Sequence, residues 1–212
     1  MYTLYYSPST ASMTVHWMLI ELAVPFELVL VDFETKAQKS PEFLRVNPSG
    51  HVPVLVIDDV PYTECAAQMM LLAERHPAAN LSPVVGTAER SSYLQTMFYL
   101  ANTLQPAYRS WFYPEEAAGV DNIDAAKIQA RTKIELVWAR LDAKFEDGRR
   151  FLLGKNLTAA DFLATILMRW SRNMPRPATE FPNLAAYIGR MRAMPSLREV
   201  HLREKLTDWI DG

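Results

Sequence analysis

A single cysteine, Cys65, stands in 212 residues, which excludes an internal disulfide framework and a cysteine-rich zinc site. Histidine is sparse too. His16, His51, His76 and His201 are scattered, with no cysteine or carboxylate at ligand spacing, so no metal is expected. The seven glycines form neither a Walker loop nor a Gly-x-Gly-x-x-Gly turn, which removes the common phosphate cradles. No nucleophile elbow supports a Ser-His-Asp triad. No apolar run approaches the length of a membrane span, and the opening MYTLYYSPST lacks the basic flank and apolar stretch of a secretory signal. An excess of either charge is missing as well. At a formal -2, nothing asks for nucleic acid or an anionic membrane as partner. A reducing compartment, the cytoplasm, is the expected setting.

What the chain does contain divides in two. Tyr2 to Tyr6 is a β-branched and aromatic run stopped by Ser7-Pro8, which reads as a strand. Val15, Met18, Leu19 and Leu22 recur at helical spacing and give one apolar face, ended at Val24-Pro25. Phe26 to Val31 is a second strand, and Lys36 to Val46 is weakly helical. Pro53 to Ile57 and Val60 to Thr63 form a hairpin about Asp58-Asp59, followed by a helix from Glu64 to His76. The order β-α-β-α-β-β-α predicts a small mixed sheet, with a parallel crossover first and an antiparallel edge last. Residues 1–78 are therefore expected to form an α/β domain, residues 79–86 a linker, and residues 87–212 an all-α domain. Within the latter, Glu89 to Trp111 is broken or kinked at Pro106, and Ala159 to Trp170 is apolar nearly all round. Thr158-Ala-Ala-Asp161 fits a capping box, with Leu157 and Phe162 as its hydrophobic staple, so Asp161 is read as structural.

Three places can carry chemistry. The turn Tyr6 to Ser12 brings Ser9, Thr10 and Ser12 to a helix N-terminus, where free N–H groups and the helix dipole favour an anion. On the simpler reading one of these hydroxyls is only the N-cap. The stretch Asn47 to Pro53 offers the Val52 backbone to an extended peptide by strand addition, with Gly50 at a turn. Glu64-Cys65 opens another helix, with a carboxylate able to meet an amino group; Cys65 reads as a packed residue rather than a nucleophile.

The stretches LYYSP, VNPSGHVPVL, TECA and GKNLTAADF, in this order, resemble the cytosolic glutathione transferases over essentially the whole chain. The nearest branch is the bacterial beta type, in which the first motif commonly reads YYSPGACSLSPH. The resemblance implies a thioredoxin-like first domain, an all-helical second one, and glutathione as co-substrate. It also implies that Val52 pairs with the cysteinyl unit beside cis-Pro53, that Glu64 and Cys65 hold the γ-glutamyl end, and that Lys36 and His51 meet the glycyl end. The thiol then points at Ser12, Thr10 and Ser9, with Tyr6 further off. Where the beta-type motif has cysteine this chain has Ala11, so mixed-disulfide chemistry through that residue is not expected. The implied activity is thiolate attack on a small hydrophobic electrophile, with Tyr108, Trp111 and Phe112 as acceptor-pocket candidates and a homodimer as the assembly. The alternatives are a non-catalytic binding or scaffold protein on the same fold and a glutathione-dependent reductase or peroxidase.

Overall fold

The structure, a computed structural model, describes residues 1–210, apart from the side chain of Ala117. Four strands, β1 (Tyr2–Tyr6), β2 (Phe26–Leu30), β3 (Val54–Ile57) and β4 (Val60–Tyr62), form one sheet in the order β2-β1-β3-β4. β1 runs parallel to β2, with Leu4 opposite Leu28, and antiparallel to β3, with Leu4 opposite Leu55. The connection between β3 and β4 is tight because Asp58 and Asp59 both take positive φ, 50° and 68°, which matches the twist of a hairpin.

Three helices cover this sheet: α1 (Ser12–Glu21), α2 (Pro41–Val46) and α3 (Cys65–Arg75). Successive strand residues face opposite sides. Tyr6 meets His16 of α1 and Tyr5 meets Phe43 of α2, so α1 and α2 lie on opposite faces. α2 starts with Ser40 as N-cap, its hydroxyl accepting from the Phe43 N–H, and with Pro41 in its first turn. Val31, Phe43 and Val54 form the small core beneath it. On the other face Leu4, Val15, Leu19, Met69 and Leu72 are buried. Each such side chain contributes roughly 1.5–3 kcal/mol by leaving water.

The remaining helices are α4 (Ala88–Tyr99), α5 (Gln105–Phe112), α6 (Pro114–Ala118), α7 (Ile123–Lys144), α8 (Ala159–Trp170), α9 (Pro182–Arg192) and α10 (Pro195–Arg203). α8 is buried from Ala159 through Arg169, as its all-round apolar sequence predicts. The break expected at Pro106 is a five-residue π-helical turn, Leu100–Leu104, joining α4 to α5.

The chain forms two compact units, one built from Met1–Ser82 together with the segment from Arg192 onward, the other from Pro83–Met191. This differs from the sequence expectation, which placed all of 87–212 in one helical domain; residues 211 and 212 lie outside the described residues. α10 belongs to the first unit for a specific reason. Its Ser196 hydroxyl accepts from the Trp17 indole N–H at 2.8 Å and donates to Glu21, fastening α10 along α1. The final helix ends at Arg203.

Candidate functional site

In the first unit the turn after β1 runs Ser7 to Ala11 and enters α1 at Ser12. The three hydroxyls found in the sequence have separate fates. Ser12 is wholly buried: its Oγ donates to the Ser7 carbonyl at 3.0 Å and accepts from the Ser7 N–H at 3.2 Å. This corrects its expected place in direct contact with a ligand, because a side chain turned inward by its own turn cannot reach one. Thr10 is partly exposed, with Oγ1 2.7 Å from the Ser7 carbonyl and 2.8 Å from Ser12 Oγ. Two hydroxyl protons thus serve an inner network whose outward member is Thr10. When Ser12 donates to the Ser7 carbonyl, the Thr10 proton is free to turn to an external anion. Ser9 contributes backbone: at φ 62° its N–H donates to Glu204 Oε2 at 2.9 Å. The N–H groups of Thr10 and Ala11 have no partner among the described residues, so the α1 terminus offers donors to an anion.

Tyr6 packs on the His16 ring. Its hydroxyl has no partner among the described residues, and burial, followed by the Glu204 charge, holds its pKa above that of a free phenol. It is therefore a neutral donor at neutral pH.

The loop before β3 approaches the same place. Asn47 organises it: Nδ2 donates to the His51 carbonyl at 2.8 Å, and Oδ1 accepts from the Ser49 N–H and hydroxyl. The Val52-Pro53 bond is cis. Neither the N–H nor the carbonyl of Val52 has a partner among the described residues, so an extended peptide can pair with it. Gly50 sits at φ 68°, and a Cβ there would lie 2.9 Å from the Gln38 carbonyl oxygen. Substituting Gly50 by alanine is therefore expected to cost about 1–3 kcal/mol. Denaturant midpoints read this, and a shift too small to resolve would show that the loop accommodates a Cβ.

α3 supplies the third wall. Glu64 holds φ 65° and ψ 100°, a sparsely populated conformation, just ahead of Cys65; its carboxylate is exposed and has no partner among the described residues. The Cys65 thiol donates to the Ala11 carbonyl at 3.4 Å, drawing the α3 start against the turn of α1. Burial pushes that thiol up to about 12, so it stays protonated and packed, as its sequence context suggests. The Gln68 amide donates to the carbonyls of Pro53 (3.0 Å) and Tyr62 (2.8 Å), tying α3 to the Val52 loop. The Cys65–Ala11 and Gln68–Pro53 contacts thereby draw the α1 turn, the Val52-Pro53 loop and the start of α3 together.

Lys36 and His51 are exposed; His51 Nδ1 lies 3.3 Å from Ser49 Oγ. The sequence reading missed a second cation here. Lys39 Nζ lies 3.1 Å from the position a Gly50 Cβ would take, beside His51. Missed too were Gln68, whose signal was only a polar residue on the inner face of a helix, and the pair His16–Glu204. Among the described residues no group of three His, Cys, Asp or Glu side chains is placed to hold a metal ion, and no helix is long and apolar enough to cross a membrane.

The acceptor candidates lie in the second unit, and one needs correcting. Tyr108 is fully buried, packed on Phe112 (5.8 Å), Trp170 (5.5 Å) and Trp138 (6.4 Å), so it is core rather than pocket wall. Its neighbour Phe112 is 48% exposed, and Trp111 is half-buried beneath the Lys127 ammonium.

Comparison with known proteins gives a consistent result. Residues 8–75 match the family model of the glutathione S-transferase N-terminal domain, and residues 100–195 that of its C-terminal domain. Glutathione S-transferase GST-4.5 of Xanthomonas campestris pv. campestris is 33% identical over 195 residues, covering 90% of this chain and 92% of the relative. A glutathione transferase homologue from Sulfitobacter, solved with bound glutathione, superposes with a TM-score of 0.89 at 26% identity, covering 97% of this chain and 99% of the other. The beta-class glutathione S-transferase of Sphingomonas chungbukensis gives a TM-score of 0.85 at 30% identity, with 97% and 100% covered.

Proposed function

Since the chain belongs to the glutathione S-transferase family and is a glutathione transferase, we propose that it holds the tripeptide in the hollow of the first unit and presents its sulfur as a thiolate to a small hydrophobic electrophile. The observation that carries this reading is the unpaired Val52 backbone, in a loop fastened to α3, whose start in turn holds the α1 turn. An extended peptide gains register from Val52. Its γ-glutamyl carboxylate and amino group suit the α3 N-terminus and Glu64, and its glycyl carboxylate suits Lys39, His51 and Lys36. The sulfur then meets the free N–H groups at the start of α1 and the Thr10 hydroxyl.

The energetic demand is modest. A free thiol has a pKa near 8.5, so only about 3% is thiolate at neutral pH. A shift of about 2 units, roughly 2.7 kcal/mol, makes the reactive form dominant. One charge-assisted hydrogen bond together with a helix terminus is of that size. Holding the electrophile beside the anion adds the gain from proximity. Phe112 and Trp111 are the aromatic surfaces proposed for the acceptor; a homodimer and a cytoplasmic setting belong to the same reading and rest on family membership alone.

Calorimetric titration with glutathione, followed by turnover of chlorodinitrobenzene, tests the proposal; absence of heat at millimolar glutathione would end it. Thr10→Ala is expected to raise the bound-thiol pKa by about 1 unit, roughly a threefold loss of thiolate near neutral pH. Ser12→Ala, whose hydroxyl acts only through Thr10, should move it less while lowering stability by about 1–2 kcal/mol. Thiolate absorbance against pH separates the two, and an unchanged titration in Thr10→Ala would leave the backbone N–H groups as the sole stabilisers.

A further inference from the structure

Gln68 is the polar exception on the buried face of α3. Cys65, Met69, Leu72 and Ala73 are buried with it, and an amide taken out of water is costly unless its groups are bonded. Its Nε2 donates to the Pro53 carbonyl at 3.0 Å and to the Tyr62 carbonyl at 2.8 Å, while Oε1 has no partner among the described residues. An apolar side chain would avoid that orphaned acceptor, so the reason for glutamine lies in what its two donors hold. The strand register shows what they replace. The hairpin closes at Ile57–Val60, with Leu55 opposite Tyr62, and bonded pairs alternate with non-bonded ones along an antiparallel ladder. Leu55–Tyr62 is therefore the second bonded rung, and the same register would make Pro53–Glu64 the third. That third rung is missing. Pro53 has no N–H to give, and Glu64 leaves strand geometry at φ 65°. The Gln68 amide takes the place of the Glu64 N–H on the Pro53 carbonyl and reaches Tyr62 on the facing strand, bridging β3 and β4 where the backbone ladder stops.

Two ligand-binding segments depart from that bridge. Val52 precedes Pro53, and Glu64 with Cys65 follows shortly after Tyr62. Because a side chain completes the rung, the N–H groups of Glu64 and Cys65 have no partner among the described residues and remain available to a carboxylate. We infer that Gln68 is a positioning residue for glutathione: it fixes the spacing between the Val52 backbone, which pairs with the cysteinyl unit, and the start of α3, which receives the γ-glutamyl end. This rests on the glutathione placement proposed above. Being wholly buried, Gln68 acts through these two segments and not on the ligand. A ligand held at both ends is sensitive to the distance between its anchors.

Gln68→Met keeps the length of the side chain, suits its apolar surroundings and removes both donors. By calorimetry its glutathione affinity should fall about tenfold, and KM for glutathione, with chlorodinitrobenzene as acceptor, should rise by the same factor. At saturating glutathione kcat should stay within about threefold of wild type, because the thiolate donors belong to the α1 turn. Gln68→Asn keeps an amide but is one methylene too short to span both carbonyls, and it should lose affinity likewise. Leu72→Val, one turn further along the same buried face, is the control for a loosened α3: its thermal midpoint should drop while KM for glutathione holds. Affinity within about twofold of wild type in either Gln68 variant, a loss confined to kcat, or an equal rise of KM in Leu72→Val would overturn the assignment. Those results presuppose wild type that binds glutathione. Wild type giving no heat at millimolar glutathione would remove the proposed binding mode itself, and the role of Gln68 with it.

Discussion

Asp161→Ala is expected to destabilise the protein by about 4 kcal/mol, enough to remove a large part of the stability of a typical domain. The carboxylate is completely buried and accepts from four donors: the N–H groups of Leu152 and Thr158, each at 2.9 Å, the Thr158 hydroxyl at 3.0 Å and the Tyr187 hydroxyl at 3.1 Å. Alanine strands the two N–H groups and the Thr158 hydroxyl where water has little access, while Tyr187 keeps the residue-161 carbonyl at 3.2 Å, and each stranded donor costs about 1–3 kcal/mol. Urea unfolding should show a lower midpoint with an unchanged slope. Asp161→Asn should cost less, since it keeps one acceptor and the volume. The same group gives a pH signature. Burial outweighs the four donors and raises the carboxyl from 3.8 to about 6. A carboxyl whose folded pKa is raised holds its proton more tightly folded than unfolded. Its contribution to stability is therefore complete below about pH 4 and declines as pH climbs to about 6. Wild type should lose stability across that window, and Asp161→Asn should not. A flat profile in wild type would mean that the four donors prevail over burial.

Glu204→Ala should cost about 3–5 kcal/mol and, unlike the first change, should also damage the glutathione site. One carboxylate oxygen accepts from His16 Nδ1 at 2.9 Å and the other from the Ser9 N–H at 2.9 Å, with both the His16 and Glu204 side chains wholly buried. Ser9 stands at φ 62°, a conformation costing a non-glycine residue about 1–3 kcal/mol unless its surroundings hold it. Removing the carboxylate releases that turn and leaves His16 without its partner between Tyr6 and Phe26. Glutathione affinity should fall about tenfold in protein that remains folded, since the donors at the α1 start lose their position. Glu204→Gln provides the control. Its amide oxygen can keep the Ser9 N–H, and its NH₂ can donate to the other His16 tautomer, so most stability should return. Loss of stability without loss of glutathione affinity would separate Glu204 from the site.

The sequence made the first unit legible because short-range chemistry specifies it. A β-branched and aromatic run marks β1, Asp58-Asp59 marks the hairpin, and Pro25 stops α1. The Thr158–Asp161 box was readable for the same reason, since its two partners are three residues apart. What stayed hidden depends on rotation and distance. Ser9, Thr10 and Ser12 look equivalent in a line of letters, and only the twist of the turn sends Ser12 inward. Tyr108 and Phe112 share a helix face, yet one is core and the other is surface, a difference of depth that periodicity does not encode. Glu204 lies 188 residues from His16, and no local pattern joins them. Pro106 announced a break but not that the helix would continue through it as a π-helical turn.

The return of the segment from Arg192 to the first unit orders events on the ribosome. Once Ser82 has emerged, the sheet and its three helices can collapse, but His16 and the Ser9 turn still await a carboxylate roughly 120 residues further along the chain. At about 5–20 residues per second, that is an interval of several seconds or more in which the nascent hollow is shaped but unlatched. A premature stop between codons 83 and 204 therefore yields a chain that has the whole sheet and its three helices but lacks the carboxylate that holds the Ser9 turn.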